Sequence, residues 1–391
     1  MRKTAAPVRP RFCPVEFDWT VSQRNLYEKI LSGVRAGVGE GAGDGRFSRD
    51  AWRTCGGLGL LGLSVPAEYG GEGLDAVTTA RAVEAFGRGT ADFGLLFAAM
   101  AHLFACAMPI AEHGRAELRA RVLPALCSGE WIGANAITEE QAGSDVGALQ
   151  CTAERQDGHY RLNGPKSFVS NGPVADVFIV YAVTDPGLGH LGISAFAVER
   201  GTPGLDVGEP FTKMGLASCA AGEIVLTDCL VPEGNLLGNE GQGSAIFQSS
   251  MRWERGCLFA GYLGMIDRLL ERCVAHARTR RQFGGPIGGN QAVSHRLADM
   301  KLQLEAARLL LYRACWAMDR GAQAVLEISL SKLAVSEAAV QSALTAIQIF
   351  GGGGYLTANQ IEQELRNAVP STLFSGTSEM QREIISREIG L

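Results

Sequence analysis

The chain has 391 residues, 46% of them hydrophobic, with 36 Lys and Arg against 41 Asp and Glu for a net charge of −5. That apolar fraction excludes a disordered chain, and the mild acidity gives no support for a nucleic-acid binder. At roughly 150 residues per domain the length allows two or three domains, and the 50 glycines are in excess without the Gly-X-Y period of collagen.

In chain order, no apolar run follows Arg2 and Lys3 before Pro7 and Pro10, so a secretory leader is not expected. From Val21 to about Leu126 the texture is helical. Asp50-Ala51-Trp52 opens one short helix, Ala80 to Phe86 has the spacing of another, and Gly56-Gly57 and Gly70-Gly71 break the segments. Phe93 to Ala111 carries no Asp, Glu, Lys or Arg over 19 residues and is long enough to cross ~30 Å as a helix. Its alanines, His102 and Pro109 favour a buried core helix, and no membrane association is expected.

From about Trp131 to Val231 the pattern alternates. His159 to Leu162 and Val177 to Val180 read as strands, with Asp157-Gly158 and Asn163-Gly164 as hairpin signals between them. Helical texture then returns. Leu258 to Arg280, Gln291 to Asp319 and Ile328 to Phe350 read as long helices joined by short loops, which implies a bundle, and Gly351 to Gly354 stop the last of them. The order is α, then β, then α, an α+β chain. The expected domains are 1–127, 128–235 and 236–391. The glycines between Gly33 and Gly45 read as loop punctuation. The ten cysteines form no CxxC pair and the six histidines lie far apart. Buried free thiols in a cytoplasmic protein are expected, and no metal site.

Three stretches have the chemistry of a site. Ile137-Thr138-Glu139-Glu140-Gln141-Ala142-Gly143-Ser144-Asp145 gathers small residues and hydroxyls where helices give way to strands, suited to a flat polar ligand or to a solvated loop. Lys166-Ser167-Phe168-Val169-Ser170-Asn171-Gly172 puts Phe168 and Ser170 on one side of a strand, facing a shared ligand or the core. Gln348 to Tyr355 contains four glycines after a helix, with bare N–H groups for a phosphate or simply a chain turn. It lacks the Gly-Lys-Ser/Thr of a P-loop and the preceding strand of a dinucleotide fingerprint.

Together with Arg280-Arg281-Gln282-Phe283-Gly284 and Ser375-Gly376-Thr377-Ser378-Glu379-Met380-Gln381-Arg382, these stretches resemble the acyl-CoA dehydrogenase family, from about residue 20 to the C-terminus. The resemblance implies an N-terminal α-helical domain, a middle β-barrel, a C-terminal four-helix bundle, and one FAD per subunit. It also implies a homotetramer or homodimer, with an electron acceptor such as electron transfer flavoprotein. By motif position, Ile137 and Thr138 meet the flavin ring, Ser170 bonds near its N5, and Phe168 stands where the family usually has tryptophan. Ser144 lies near the pantetheine arm. Arg280, Phe283, Gln291, Gln348 and Gly352 match positions holding the pyrophosphate and adenine end, often across a subunit interface. Thr377 and Glu379 match contacts to the adenosine side.

The family's reaction takes a proton from Cα of a thioester and a hydride from Cβ, and the α-proton needs a placed carboxylate. Many members carry it immediately before Gly-Thr in the tail, where this chain has Ser375. In isovaleryl-CoA dehydrogenase and its relatives it precedes an arginine on the first long helix of the last domain. Met251-Arg252-Trp253-Glu254-Arg255-Gly256 matches that place, which makes Glu254 the expected base. Glu254 also reads as a first-turn carboxylate favoured by a helix dipole. Ser375 retains a backbone N–H for the thioester carbonyl, and Arg255 orients either Glu254 or a substrate carboxylate. The Trp-Glu-Arg and Ser-Gly-Thr-Ser-Glu pairing looks most like members that act on carrier-protein-bound acyl or aminoacyl groups in secondary metabolism. The expected substrate is an acyl thioester on an acyl carrier protein or on CoA. A flavin oxidase or monooxygenase using O₂ and a non-catalytic FAD-containing partner protein are the alternatives.

Overall fold

The computed structural model of the chain describes residues 18–38 and 45–391. The reading of Arg2, Lys3, Pro7 and Pro10, Cys13, and the glycines from Gly39 to Gly43 lie outside the described residues.

Helices come first: α1 (Val21–Gly37), α2 (Arg49–Gly57), α3 (Ala76–Gly89), α4 (Phe93–His102), α5 (Met108–His113) and α6 (Ala116–Ser128). Side-chain caps set the starts of the first four. Thr20 and Gln23 form a reciprocal capping box on α1, and Ser48, Asp75 and Asp92 accept from the first-turn N–H groups of α2, α3 and α4. Between α4 and α5, Leu103–Ala107 winds as a π-helical turn. The run Phe93–His113 is apolar and long enough to cross a membrane, yet Phe93 to Ala111 is buried inside the protein. Neutral His102 fits that core. Burial lowers its pKa to about 3, and Gly133 N–H donates to its Nδ1 at 2.8 Å.

The middle of the chain forms one eight-stranded sheet from β1 (Gly133–Ala136), β2 (Thr152–Gln156), β3 (His159–Ser170), β4 (Val177–Val183), β5 (Ile193–Glu199), β6 (Leu205–Val207), β7 (Ala221–Pro232) and β8 (Leu236–Leu237). The hydrogen-bonded order is β6-β7-β3-β2-β4-β5-β8, and β1 pairs in parallel with β4. Asp157-Gly158 is the β2–β3 turn, with φ of 34° and 81°. Asn163-Gly164 is not a turn. It lies inside β3 at a register shift against β7, because Gly164 has φ 137° and its Cα faces the Cys151 backbone too closely for a side chain. The same dipeptide chemistry that closes a hairpin here bends a long strand.

The remaining helices are α7 (Gly243–Trp253), α8 (Ala260–Thr279), α9 (Gln291–Asp319), α10 (Val325–Phe350), the short α11 (Gly352–Tyr355), α12 (Ile361–Ala368) and α13 (Ser378–Glu388). A second π-helical turn, Glu254–Leu258, joins α7 to α8. The hairpin β9 (Arg281–Gln282) and β10 (Gly285–Pro286) separates α8 from α9. Helices α8, α9 and α10 pack on one another, α13 packs on α10, and α3 crosses α8 and α9. That crossing is backbone against backbone. A Cβ at Gly87 would lie 2.0 Å from Gly261 O, and one at Gly264 would lie 2.2 Å from Glu84 O. A buried polar group ties the same helices: Arg308 Nη2 donates to Glu84 Oε1 at 2.9 Å, and Tyr312 OH donates to Glu84 Oε2 at 2.5 Å. Glycines thus do more than punctuate loops. Gly33 and Gly37 lie in α1, where Leu58 and Thr54 pack against them.

Candidate active site

Glu254 opens the π-helical turn between α7 and α8, and because α7 runs straight into that turn it does not stand at a free helix N-terminus. A π turn carries one residue more than an α turn, and such turns recur at functional sites. Glu254 is buried at 7% exposure. Its partner is Ser375, 121 residues further on, whose Oγ donates to Glu254 Oε1. The two positions that the resemblance offers for a catalytic carboxylate are therefore in hydrogen-bond contact. Burial raises the Glu254 pKa, while the Ser375 hydroxyl and the Arg255 charge pull it back.

Ser375 and Gly376 both have left-handed backbone, with φ of 56° and 88°. For a serine this is strained, and such strain persists where the surroundings over-determine it. Arg255 Nε donates to Ser375 O at 2.7 Å, and Gln381 Nε2 donates to Gly376 O at 3.2 Å. The Arg255 guanidinium acts on the loop that holds Ser375. Thr377 caps α13 by accepting from Met380 N–H at 3.3 Å, and Glu379 follows it, exposed, in the first turn. The rings of Phe97, Phe259 and Tyr262 pack around Phe374, which precedes Ser375.

At the second cluster, Ile137 is buried and Thr138 partly exposed just beyond β1. Lys166 on β3 fixes this loop. Its wholly buried Nζ donates to Ile137 O at 3.2 Å and to Glu139 Oε1 at 2.7 Å. Glu139 also accepts from Gln150 and Cys151 N–H, at 2.7 and 3.0 Å, and Ser167 N–H donates to Thr138 O at 2.8 Å. The strand alternation expected for Phe168 and Ser170 is interrupted. β3 bulges between Lys166 and Val169, and Phe168 takes φ 54°, lying exposed against Phe211 with ring centroids 5.6 Å apart. Ser170 is partly exposed, and Ser144 is exposed on the loop after Thr138.

At the third cluster, Arg280 and Gly351 to Gly353 share a cavity of about 500 Å³, walled by His276 stacked on Phe350 at 4.1 Å. A Cβ at Gly351 or Gly352 would meet nothing within 4 Å. Gln348 and Gln291 are exposed near the ends of α10 and α9, and Phe283 stands fully exposed at the β9–β10 hairpin tip. The structure thus brings Arg280 and Gly352 together, and Glu254, Ser375 and Arg255 together. Sequence reasoning assigned no role to Lys166, although it heads one of the stretches singled out. Among the described residues no group of three or more His, Cys, Asp or Glu is arranged to hold a metal ion.

With Glu254 as the base, its raised pKa puts the acid limb of kcat/KM above the usual carboxylate range, with activity expected to rise as pH takes the proton off. Ser375→Ala removes a donor to the ionised form, so the limb is expected to move further up. A pH–rate series on both proteins checks this, and a downward shift would contradict the assignment.

Family models match nearly the whole chain: acyl-CoA dehydrogenase N-terminal domain at residues 33–130, middle domain at 134–229 and C-terminal domain at 241–390. The chain is 59% identical over 346 residues to an L-prolyl-[peptidyl-carrier protein] dehydrogenase of Pseudomonas fluorescens, covering 88% of this chain and 91% of that one. The crystal structure of the prolyl acyl carrier protein oxidase AnaB matches with TM-score 0.93 and 43% identity, over 95% of this chain and 100% of that one. PigA with FAD and proline matches with TM-score 0.92 and 44% identity, over 96% and 99%.

Proposed function

The chain belongs to the acyl-CoA dehydrogenase family, and from that premise we propose that it oxidises an L-prolyl group held as a thioester on a peptidyl-carrier protein. Its general activity is FAD-dependent dehydrogenation of an acyl thioester. The observation that carries the finer reading is the 59% identity to a prolyl-carrier dehydrogenase over nearly the full length of both chains.

The residues fit FAD at both ends. The Ile137–Thr138 loop, clamped from below by Lys166, suits a flat ring. Arg280 and the N–H groups of Gly352 and Gly353, at the start of α11, suit a pyrophosphate, since a guanidinium and bare N–H groups both donate to phosphate oxygens. When bound, FAD supplies the hydride acceptor. The chain's own part is the proton. Glu254 takes it from Cα, and its raised pKa makes it a stronger base than an exposed carboxylate once ionised. The negative charge that then gathers on the thioester oxygen needs a donor, and the Ser375 N–H is the group we assign, held by the Arg255 and Gln381 grip on its loop. Ser144 is assigned to the carrier's pantetheine arm, and Thr377 and Glu379 to the adenosine side.

A homo-oligomer is also proposed. Leu302, Leu309 and Trp316 recur every seven residues along α9, and Phe283 is bare at its hairpin tip. This is the pattern of a helix face that a second copy covers. Sedimentation of the holoprotein as a monomer would remove this reading.

The test of function is anaerobic flavin bleaching with prolyl-loaded carrier protein beside a panel of acyl-CoA thioesters. Bleaching by the prolyl carrier, with loss of two hydrogens from the acyl group by mass spectrometry, is the expected result. The similarity to AnaB, a protein described as an oxidase, favours O₂ as a second candidate for the acceptor. Admitting air to the bleached enzyme and assaying hydrogen peroxide separates that reading from an electron-transfer-flavoprotein partner.

A further inference from the structure

A cavity of about 460 Å³ lies between α7, with the π-helical turn that follows it, and the start of α10. Its rim is exposed at Gln248, Gln323 and Val325, and its floor is buried at Met251, Ile328 and Ser329. Two arginines line it, Arg252 and Arg255, and among the described residues no Asp or Glu does. Arg255 is engaged, its Nε donating to Ser375 O. Arg252 has no such partner: among the described residues no carboxylate or carbonyl accepts from it. Glu112 reaches the cavity's wall, but it accepts instead from Ser249 Oγ and Trp253 Nε1, each at 2.7 Å. A cavity with two guanidiniums and no counter-charge is suited to an anion.

The cavity begins beside the base, and Arg252 stands at a distance from it. Arg252 and Glu254 are two residues apart, so they leave the helix on nearly opposite sides, about 200° around its axis. Glu254 faces inward to Ser375, while Arg252 is partly exposed. Arg255, which lines the cavity and grips the Ser375 loop, leaves the helix between the two. The lining residues from Ala245 to Arg255 follow about 15 Å of helix at 1.5 Å per residue. The loop assigned to the pantetheine arm meets the same helix. Ser144 leads into the turn Val146–Ala148, which touches the turn Pro186–Gly192. There Ser244 Oγ, on α7, donates to His190 O at 2.5 Å.

We propose that Arg252 binds the phosphate at the far end of the pantetheine arm, and so sets a preference for phosphopantetheine thioesters. The proposal rests on the carrier-thioester reading above. Between thioester and phosphate the arm is neutral, with two amides and a gem-dimethyl carbon. Gln248, Gln323 and Ser329 offer polar groups to the amides, and Met251, Val325 and Ile328 offer apolar surface. The charge comes at the end of the arm, and a guanidinium holds a phosphate by two parallel N–H bonds. The contact is remote from Cα and is the same before and during proton removal. It therefore tightens binding without speeding the chemical step. Carrier proteins and coenzyme A bear this phosphate alike, so Arg252 reads the arm and leaves the acyl group to the surroundings of Glu254.

The experiment compares two small thioesters, prolyl-pantetheine and prolyl-phosphopantetheine, which differ only in the phosphate. The rate of anaerobic flavin reduction in the holoenzyme is followed against thioester concentration. The wild type is expected to favour the phosphorylated arm by about 10-fold or more, the worth of a hydrogen bond between charged groups. The preference is expected in the half-saturating concentration more than in the limiting rate, and added salt shrinks it. In Arg252→Gln the ratio falls toward one, and Arg252→Lys, a cation without the planar fork, keeps part of it. Should Arg252→Gln lose its FAD, Arg252→Met reads the same ratio. Prolyl-CoA and the prolyl carrier protein are expected to lose a similar factor in Arg252→Gln. A loss confined to the carrier protein would mean that Arg252 touches the carrier's body, and overturns the proposal. So does a wild-type ratio of one, or a ratio that the substitution leaves unchanged. A wild type bleached by other acyl thioesters but by no prolyl one would instead overturn the substrate reading, and the same phosphate comparison on that acyl group then decides the role of Arg252.

Discussion

Glu254→Gln lowers the rate of flavin reduction by roughly 10²–10⁴-fold, the usual worth of a placed general base, and leaves FAD bound. The amide has the size of the carboxyl and still accepts from the Ser375 hydroxyl, so the π-helical turn retains its packing. It cannot take a proton. Ser375 does not replace it, because a hydroxyl needs a base of its own and the amide it now donates to is not one. Stability is expected to hold or rise, since the substitution relieves the burial cost that raises the Glu254 pKa. Stopped-flow absorbance measures the rate, and thermal unfolding separates a lost base from a lost fold. Wild-type reduction rates in this variant would sink the assignment.

Lys166→Met has the second large effect, on stability and cofactor together. It strands Glu139 as a buried carboxylate that retains two backbone donors and loses its cation. Breaking a buried pair from one side costs about 3–5 kcal/mol, and the loss appears in denaturant unfolding. FAD affinity falls as well, because the Ile137 carbonyl is released. The double variant Lys166→Met/Glu139→Gln distinguishes the two roles. It removes the unpaired charge, so most of the stability returns. It does not restore the hold on Ile137, so FAD binding, followed by flavin fluorescence, stays weak. Recovery of both would mean that the pair only neutralises charge.

How much was legible depends on the range of each interaction. The helix Gln291–Asp319 is periodic and bounded locally, and its observed ends match those expected. Phe93 to Ala111 is wholly buried, as its composition suggested. Local chemistry misled where two environments use one dipeptide. Asp157-Gly158 closes a hairpin and Asn163-Gly164 bends a strand, and only the pairing of β3 with β7 tells them apart. The glycine excess had a second source, invisible one residue at a time. Gly87 lies far along the chain from Gly261 and Gly264, and the helix crossing they permit exists only once α3 and α8 meet. Lys166 and Glu139 were both in view, 27 residues apart, yet nothing in the spacing pairs them. The resemblance offered two places for one carboxylate. Their contact through Glu254 and Ser375 depends on a tertiary meeting across 121 residues.

The π-helical turn at Glu254–Leu258 has a genetic consequence. Deleting one codon within it would leave a helix that still closes its hydrogen bonds as an ordinary α-helix from α7 into α8. All of α7 would then be turned by about 100° and drawn in by about 1.5 Å relative to α8. A carboxylate at the edge of that turn would be aimed away from the loop of Ser375, while circular dichroism registered an unaltered helix. For this stretch the reading frame of the helix, more than its helicity, is what inheritance has to conserve.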